Sequence, residues 1–166
     1  MVLGSVERII AALNQADVRY LVAGGLAVVA HGYVRFTADV DLVLDMDEGN
    51  LERAVRALSG LGYRPRAPVP FDEFVEEKNR KTWQEEKGMR VFSLHSPDHP
   101  ETEVDLFLEP PLDFGKAWAG ASRMEVAPGV VAVFLGLDDL IAVKRDAGRP
   151  EDLVDVAKLE SLRNDE

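Results

Sequence analysis

Asp39 and Asp41 stand two apart in the run Thr37-Ala38-Asp39-Val40-Asp41-Leu42-Val43-Leu44. On a β-strand that spacing projects both carboxylates from one face, while Val40, Leu42 and Leu44 point to the other. Two like charges side by side repel, and inside an α/β domain a divalent cation between them resolves the conflict. Taken alone the pair also suits a solvated strand end. Asp105, set among Val104, Leu106, Phe107 and Leu108, repeats the situation on a later strand, where an ionised carboxylate without a partner is costly to bury. Glu103 shares its parity but falls at the strand's start, where exposure accounts for it. Three acids brought together would form an oxygen-rich site for two Mg²⁺ or Mn²⁺ ions, the arrangement that activates a hydroxyl and neutralises a triphosphate during in-line displacement.

Gly24-Gly25 precedes the acids by about fifteen residues, between an apolar run and a short helical one. Bare backbone amides at such a place can cradle phosphate, and a tight turn needing positive φ explains the same pair. His95 and His99 are four apart, but Pro97 opposes a helix between them and no third zinc ligand is nearby, so a loop role is expected. His31 before Gly32 reads as a helix-end imidazole.

The elements that must position these residues follow from periodicity. Val6, Ile9, Ile10 and Leu13 recur at helical spacing after Ser5, the expected N-cap, and Val18–Ala23 reads as a strand entering Gly24-Gly25. Residues 26–31 form a short buried helix, 37–44 a second strand, and 47–58 a helix with Leu51, Ala54, Val55 and Leu58 on one face. The 64–90 stretch opens with Pro65, Pro68 and Pro70 and reads as a loop followed by a polar, solvated helix; the alternative is a substrate-facing flap carrying Trp83 for stacking. Residues 89–94 and 103–108 read as paired strands, 123–127 and 130–135 as a hairpin around Pro128-Gly129, and 138–147 and 150–163 as two helices divided at Gly148.

The chain has 166 residues and 46% hydrophobic content, enough for one domain with a core. It has no cysteine, which excludes disulfides and thiolate zinc sites and fits a reducing compartment. Lys and Arg number 19 against 30 Asp and Glu, a net charge of −11 that opposes non-specific binding to polyanions. Glu7 and Arg8 interrupt the apolar start, so no export signal is read, and no stretch reaches the roughly 20 apolar residues of a spanning helix. A cytoplasmic protein with no membrane partner is expected.

Val22-Ala23-Gly24-Gly25-Leu26-Ala27, then His31-Gly32-Tyr33-Val34-Arg35-Phe36-Thr37-Ala38-Asp39-Val40-Asp41, then Val104-Asp105-Leu106 resemble the nucleotidyltransferase superfamily that includes DNA polymerase beta. The likeness is to its small prokaryotic branch of AbiEii-type and MenT-type toxins, and Leu137–Lys144 with Ala147–Asp155 extends it toward the end of the chain. It implies a single α/β nucleotidyltransferase domain over residues 1–166, with a mixed sheet flanked by helices, a variable insertion at 64–88 and C-terminal helices at 137–163. By the same resemblance Asp39, Asp41 and Asp105 are the catalytic and metal-binding residues, and Gly24, Gly25 and Lys144 bind nucleotide. Arg35, Thr37 and Asp152 take supporting roles, bracing being expected for the first two. A salt bridge from Arg149 or Lys158 accounts equally well for Asp152 and Asp155. Where the wider superfamily has Gly-Ser this chain has Gly24-Gly25, which leaves the triphosphate to backbone amides and Lys144.

The implied activity is metal-dependent transfer of a nucleoside monophosphate from an NTP to a hydroxyl. The branch suggests an RNA 3′ end, such as that of tRNA, with a cognate antitoxin as partner. The alternatives are nucleotidylylation of a protein hydroxyl and a non-catalytic module that binds nucleotide or a partner.

Overall fold

A computed structural model describes residues 1–165. Its centre is one mixed sheet in the order β3-β4-β5-β2-β1-β7-β6, flanked by helices. The expected α/β architecture is therefore present.

Helix α1 (Leu3–Gln15) buries Val6, Ile9, Ile10 and Leu13 on one face, the spacing that the sequence shows. Ser5 is not its N-cap. The helix starts two residues earlier, Val2 N donates to Thr102 Oγ1 at 2.9 Å, and the Ser5 hydroxyl shares a 2.7 Å hydrogen bond with His99 Nδ1. Strand β1 (Tyr20–Ala23) is wholly buried and runs straight into α2 (Gly24–Ala30). Strand β2 (Asp39–Leu44) pairs antiparallel with β1, placing Ala23 opposite Asp41. Asp47 caps α3 (Glu48–Ser59) by accepting from Asn50 N at 3.2 Å. Buried Asn50 in turn bonds both backbone groups of Arg19 and the carbonyl of Asp45, tying the start of β1 to the end of β2.

The proline-rich stretch holds the two-residue strand β3 (Arg64–Pro65), a 3₁₀ turn (Phe71–Val75) and α4 (Glu77–Lys87). Trp83 does not face a substrate. It is buried edge-on against Phe92, with ring centroids 4.9 Å apart, and with Arg80 is what α4 gives to the core. Strands β4 (Val91–His95) and β5 (Glu103–Phe107) pair antiparallel as expected. Helix α5 (Phe114–Ala119), capped by Asp113 accepting from Lys116 N at 2.9 Å, is absent from the sequence reading. The hairpin of β6 (Ser122–Ala127) and β7 (Val130–Phe134) closes the sheet beside β1. Helix α6 (Leu137–Ala147) stops at Gly148, whose φ of +65° turns the chain into α7 (Pro150–Asn164). Among the described residues no helix is long and apolar enough to cross a membrane.

Candidate active site

Strands β2 and β5 run parallel and in register, with Asp39 beside Glu103 and Asp41 beside Asp105. Neighbouring strands lie about 4.8 Å apart, and residues paired in this way share a face. The sheet thus gathers four acids in a block, while Val40, Leu42, Val104 and Leu106 fill the core behind them. Glu103 is neutralised by an ion pair with Arg66. Among the described residues, Asp39, Asp41 and Asp105 have no ion-pair partner. They line a cleft of about 530 Å³ with Gly24, Lys144, Arg149 and Asp152.

The electrostatic consequence falls hardest on Asp41. Burial, the charges of Asp105 and Asp39, and a hydrogen-bonding contact with Asp105 push it up to about 7, against the opposing pull of Lys144. Asp39 is raised by burial and then by Asp105. Asp39 and Asp41 resist ionising in this setting, and with Asp105 beside them they suit a divalent cation by donor type, because its charge would relieve both burial and repulsion. Their side chains are not drawn together into a ready-made cage: among the described residues no three His, Asp or Glu groups converge closely enough.

Gly24 has φ +62°, which favours glycine, and a Cβ added there would lie 2.7 Å from Asp41 Cγ and 3.0 Å from Asp41 Cβ. At Gly25 an added Cβ would come 2.9 Å from Thr37 Cβ. The two glycines therefore let β2 and its approach pack directly against the β1–α2 turn. Thr37 contacts protein here, and so does Arg35. The guanidinium donates to both carboxylate oxygens of Asp155, at 2.8 and 2.7 Å, and to the Phe36 carbonyl at 2.8 Å. Both residues brace the segment that delivers Asp39.

Lys144 lines the cleft but is buried, with its ammonium 3.3 Å from Asp152 and 3.0 Å from Asp155. Arg149 holds the far side of Asp152 through Nε at 2.8 Å. Burial opposes ionisation of both acids, but hydrogen bonds from Arg149 and Lys144 hold Asp152 below the usual carboxylate range. Those from Arg35 and Lys144 do the same for Asp155. Arg149 is a partner foreseen from the sequence; Lys158 is not one, and Lys144 and Arg35 stand in its place.

The histidines lie elsewhere. His99 is buried and stacks on Tyr63 at 5.9 Å, His95 is exposed, and His31 Nε2 donates to the Leu135 carbonyl at 2.7 Å. The sequence reading did not single out Arg90, Phe107, Leu140 and Val143, which complete the cleft wall. Phe107 carries a signal nonetheless, since it lies two residues beyond Asp105 and so on the same face.

Neither a family model nor a curated protein matches the chain. Among solved structures it is similar to ANT(2″)-Ia in complex with adenylyl-2″-tobramycin, with a TM-score of 0.53 and 15% identity over 98% of this chain and 94% of that one. A solution structure of the antibiotic-resistance factor ANT(2″)-Ia gives 0.54 and 21% identity over 98% and 89%. At such identities the likeness is one of architecture, and the chain has the nucleotidyltransferase fold.

Proposed function

We propose that this protein is a divalent-metal-dependent nucleotidyltransferase that moves a nucleoside monophosphate from an NTP to a hydroxyl, working in the cytoplasm. The observation that carries the reading is the set of three carboxylates without basic partners, placed on one sheet face at the floor of a cleft. Asp39, Asp41 and Asp105 would hold Mg²⁺ or Mn²⁺, two ions in all. Bound there, the ions would neutralise the triphosphate and lower the barrier to displacement at the α-phosphorus.

The chain's own groups then divide the remaining work. The acceptor oxygen forms a bond to the α-phosphorus, the bond to the β-phosphate breaks, pyrophosphate leaves, and Asp105 accepts the hydroxyl proton. Backbone amides at Gly24 and Gly25 face the phosphates. An ammonium has three N–H donors, and two of those on Lys144 are committed to Asp152 and Asp155, leaving one for a phosphate oxygen. Asp152 supports the site by fixing that lysine, while Arg35 and Thr37 hold the strand that carries the acids.

The resemblance to the toxin branch points to an RNA 3′ end as acceptor, with an antitoxin partner. ANT(2″)-Ia, crystallised with adenylyl-2″-tobramycin, adds the hydroxyl of a small molecule.

The test combines calorimetry with label transfer. Mn²⁺ and NTP are titrated into the native chain and Asp41→Asn, and pyrophosphate release is followed with each of four labelled NTPs and pooled acceptors. Metal binding weakened by the substitution, together with acceptor-dependent pyrophosphate release, supports the reading. Equal metal binding by both chains counts against it, and NTP binding with no release from any acceptor pool leaves a binding module.

A further inference from the structure

The sheet ends in two edge strands of different character. Strand β3 offers only Arg64 and Pro65, and proline has no N–H to donate, so that edge is closed to further pairing. Strand β6 is six residues long and contains no proline. Among the described residues its backbone groups bond only to β7. In an antiparallel pair, alternate residues turn their N–H and C=O away from the partner strand. A row of backbone donors and acceptors therefore faces outward along β6, where another strand can add.

The side chains of β6 select that strand. Arg123 and Glu125 are exposed on one face, while Met124 between them faces the other way and packs partly against the core. Among the described residues neither charged group is in an ion pair. The Arg123 guanidinium rests over the Trp118 ring, 4.9 Å from its centroid. Glu125 Oε1 accepts from Gly129 N at 2.8 Å, which leaves its second oxygen. A cation and an anion two apart, one on each side of Met124, make a pattern that is its own complement when the strand is reversed.

Set antiparallel about a two-fold axis at Met124, two β6 strands place each Arg123 opposite the Glu125 of the other copy. A slip of two residues either way sets Arg123 against Arg123 or Glu125 against Glu125, and like charges directly opposite are unfavourable. A slip of one turns the charged face of one strand to the apolar side of the other. The irregularity between Glu125 and Ala127 lies past these pairs and keeps the ladder short. Copies with a net charge of −11 repel in general, so a contact between them has to be locally neutral, and Ser122–Ala127 carries one cation and one anion.

We propose that β6 is a self-association edge: two copies of this chain pair through it, antiparallel about Met124, and the sheet runs on from one copy into the other. Strands β1 and β7 separate β6 from β2, so the acids and the cleft of each copy stay outside the contact. The contact is small and its ion pairs exposed, so the dimer should be weak, concentration-dependent and loosened by salt.

Sedimentation of the native chain up to about 1 mM, the scale at which a weak contact registers, should show a monomer–dimer equilibrium. Arg123→Glu sets acids against acids across the axis, and Glu125→Arg sets cations against cations. Each variant alone should self-associate on the order of tenfold more weakly, or less still, with a Tm close to native because both positions are exposed. Mixed, the two variants should pair with each other, since one strand then presents only acids at the two positions and the other only cations. Met124→Cys puts the one thiol of a cysteine-free chain on the axis, and mild oxidation should cross-link two copies faster than it does for Val131→Cys on β7. A native chain that stays monomeric, single variants that associate as well as it does, a mixture that gains nothing, or a thiol at position 124 that links no faster than one at 131 overturns the proposal.

Discussion

Gly24 and Gly88 share φ +62° and differ in what surrounds them, so alanine at each separates two costs of removing a glycine. At Gly88 an added Cβ meets nothing within 4 Å, and the penalty is the left-handed conformation alone, about 1 kcal/mol. At Gly24 the same methyl would lie 2.7 Å from Asp41 Cγ and 3.0 Å from Asp41 Cβ. Rotating the carboxylate relieves the first contact at roughly 0.5–1.5 kcal/mol if it leaves its rotamer well. The second is fixed by the backbone, so β2 or the β1–α2 turn must also shift. Gly24→Ala should therefore be less stable than Gly88→Ala by about 1–2 kcal/mol, or roughly 2–8 °C in Tm for a chain of this size. It should also displace Asp41 and lower Mn²⁺ affinity by about 10–100-fold, as a disturbed ligand environment does. Scanning calorimetry and Mn²⁺ titration of both variants check this. Equal melting and unaltered metal binding in the two would refute the claim that the glycine exists to admit Asp41.

Lys144→Ala removes one cation from two buried carboxylates, and the usual cost of breaking such a pair, about 3 kcal/mol, should appear as a lower urea midpoint before any nucleotide is added. An unchanged midpoint would mean that the ammonium is not what keeps those acids ionised. Asp155 has a depressed folded-state value, so its contribution is present above the ordinary value near ~3.9 and is lost as pH falls through the lower folded one. Asp155→Asn should flatten the acid limb of the stability–pH curve measured by urea denaturation, and curves that stay parallel through that limb would contradict this origin.

Much of the site is legible because strand alternation is local information. Asp39, Asp41 and Asp105 each sit between apolar residues, which fixes their face before any partner strand is known. That β2 and β5 are neighbours, parallel and in a register that sets Asp41 beside Asp105, depends on a crossover through α3, β3, α4 and β4. Sequence spacing does not specify that. The bond from Arg35 to Asp155 spans 120 residues and is equally beyond periodicity. The solvated helix expected over this stretch is polar on all sides except one turn, where Arg80 and Trp83 reach the core, and the alternative of a flap carrying Trp83 fails for that reason. Ser5 misleads for a related reason: its hydroxyl is recruited by His99, 94 residues away, and Val2 takes the place of the cap. The short helix α5 escapes because it has only six residues, one of them Gly115, although Asp113 is an ordinary cap.

The acids of the cleft are sorted by what neutralises them. Asp152 and Asp155 on α7 are ionised and fully partnered, whereas Asp39, Asp41 and Asp105 on the sheet have one another. Lys144 decides between the two groups, since it lines the same cleft and already acts on Asp41 through its charge. Were its ammonium to settle against Asp41, it would neutralise the carboxylates that the proposed function gives to a divalent cation. The paired carboxylates of α7 hold it back by the stronger claim of two short contacts inside the protein. They are in turn kept charged by Arg149 and Arg35, whose own loops lead into α7 and into Asp39. An ion-pair network that touches no part of the acid face thus keeps a lysine off that face, and leaves Asp39 and Asp41 raised by burial and by the neighbouring carboxylates.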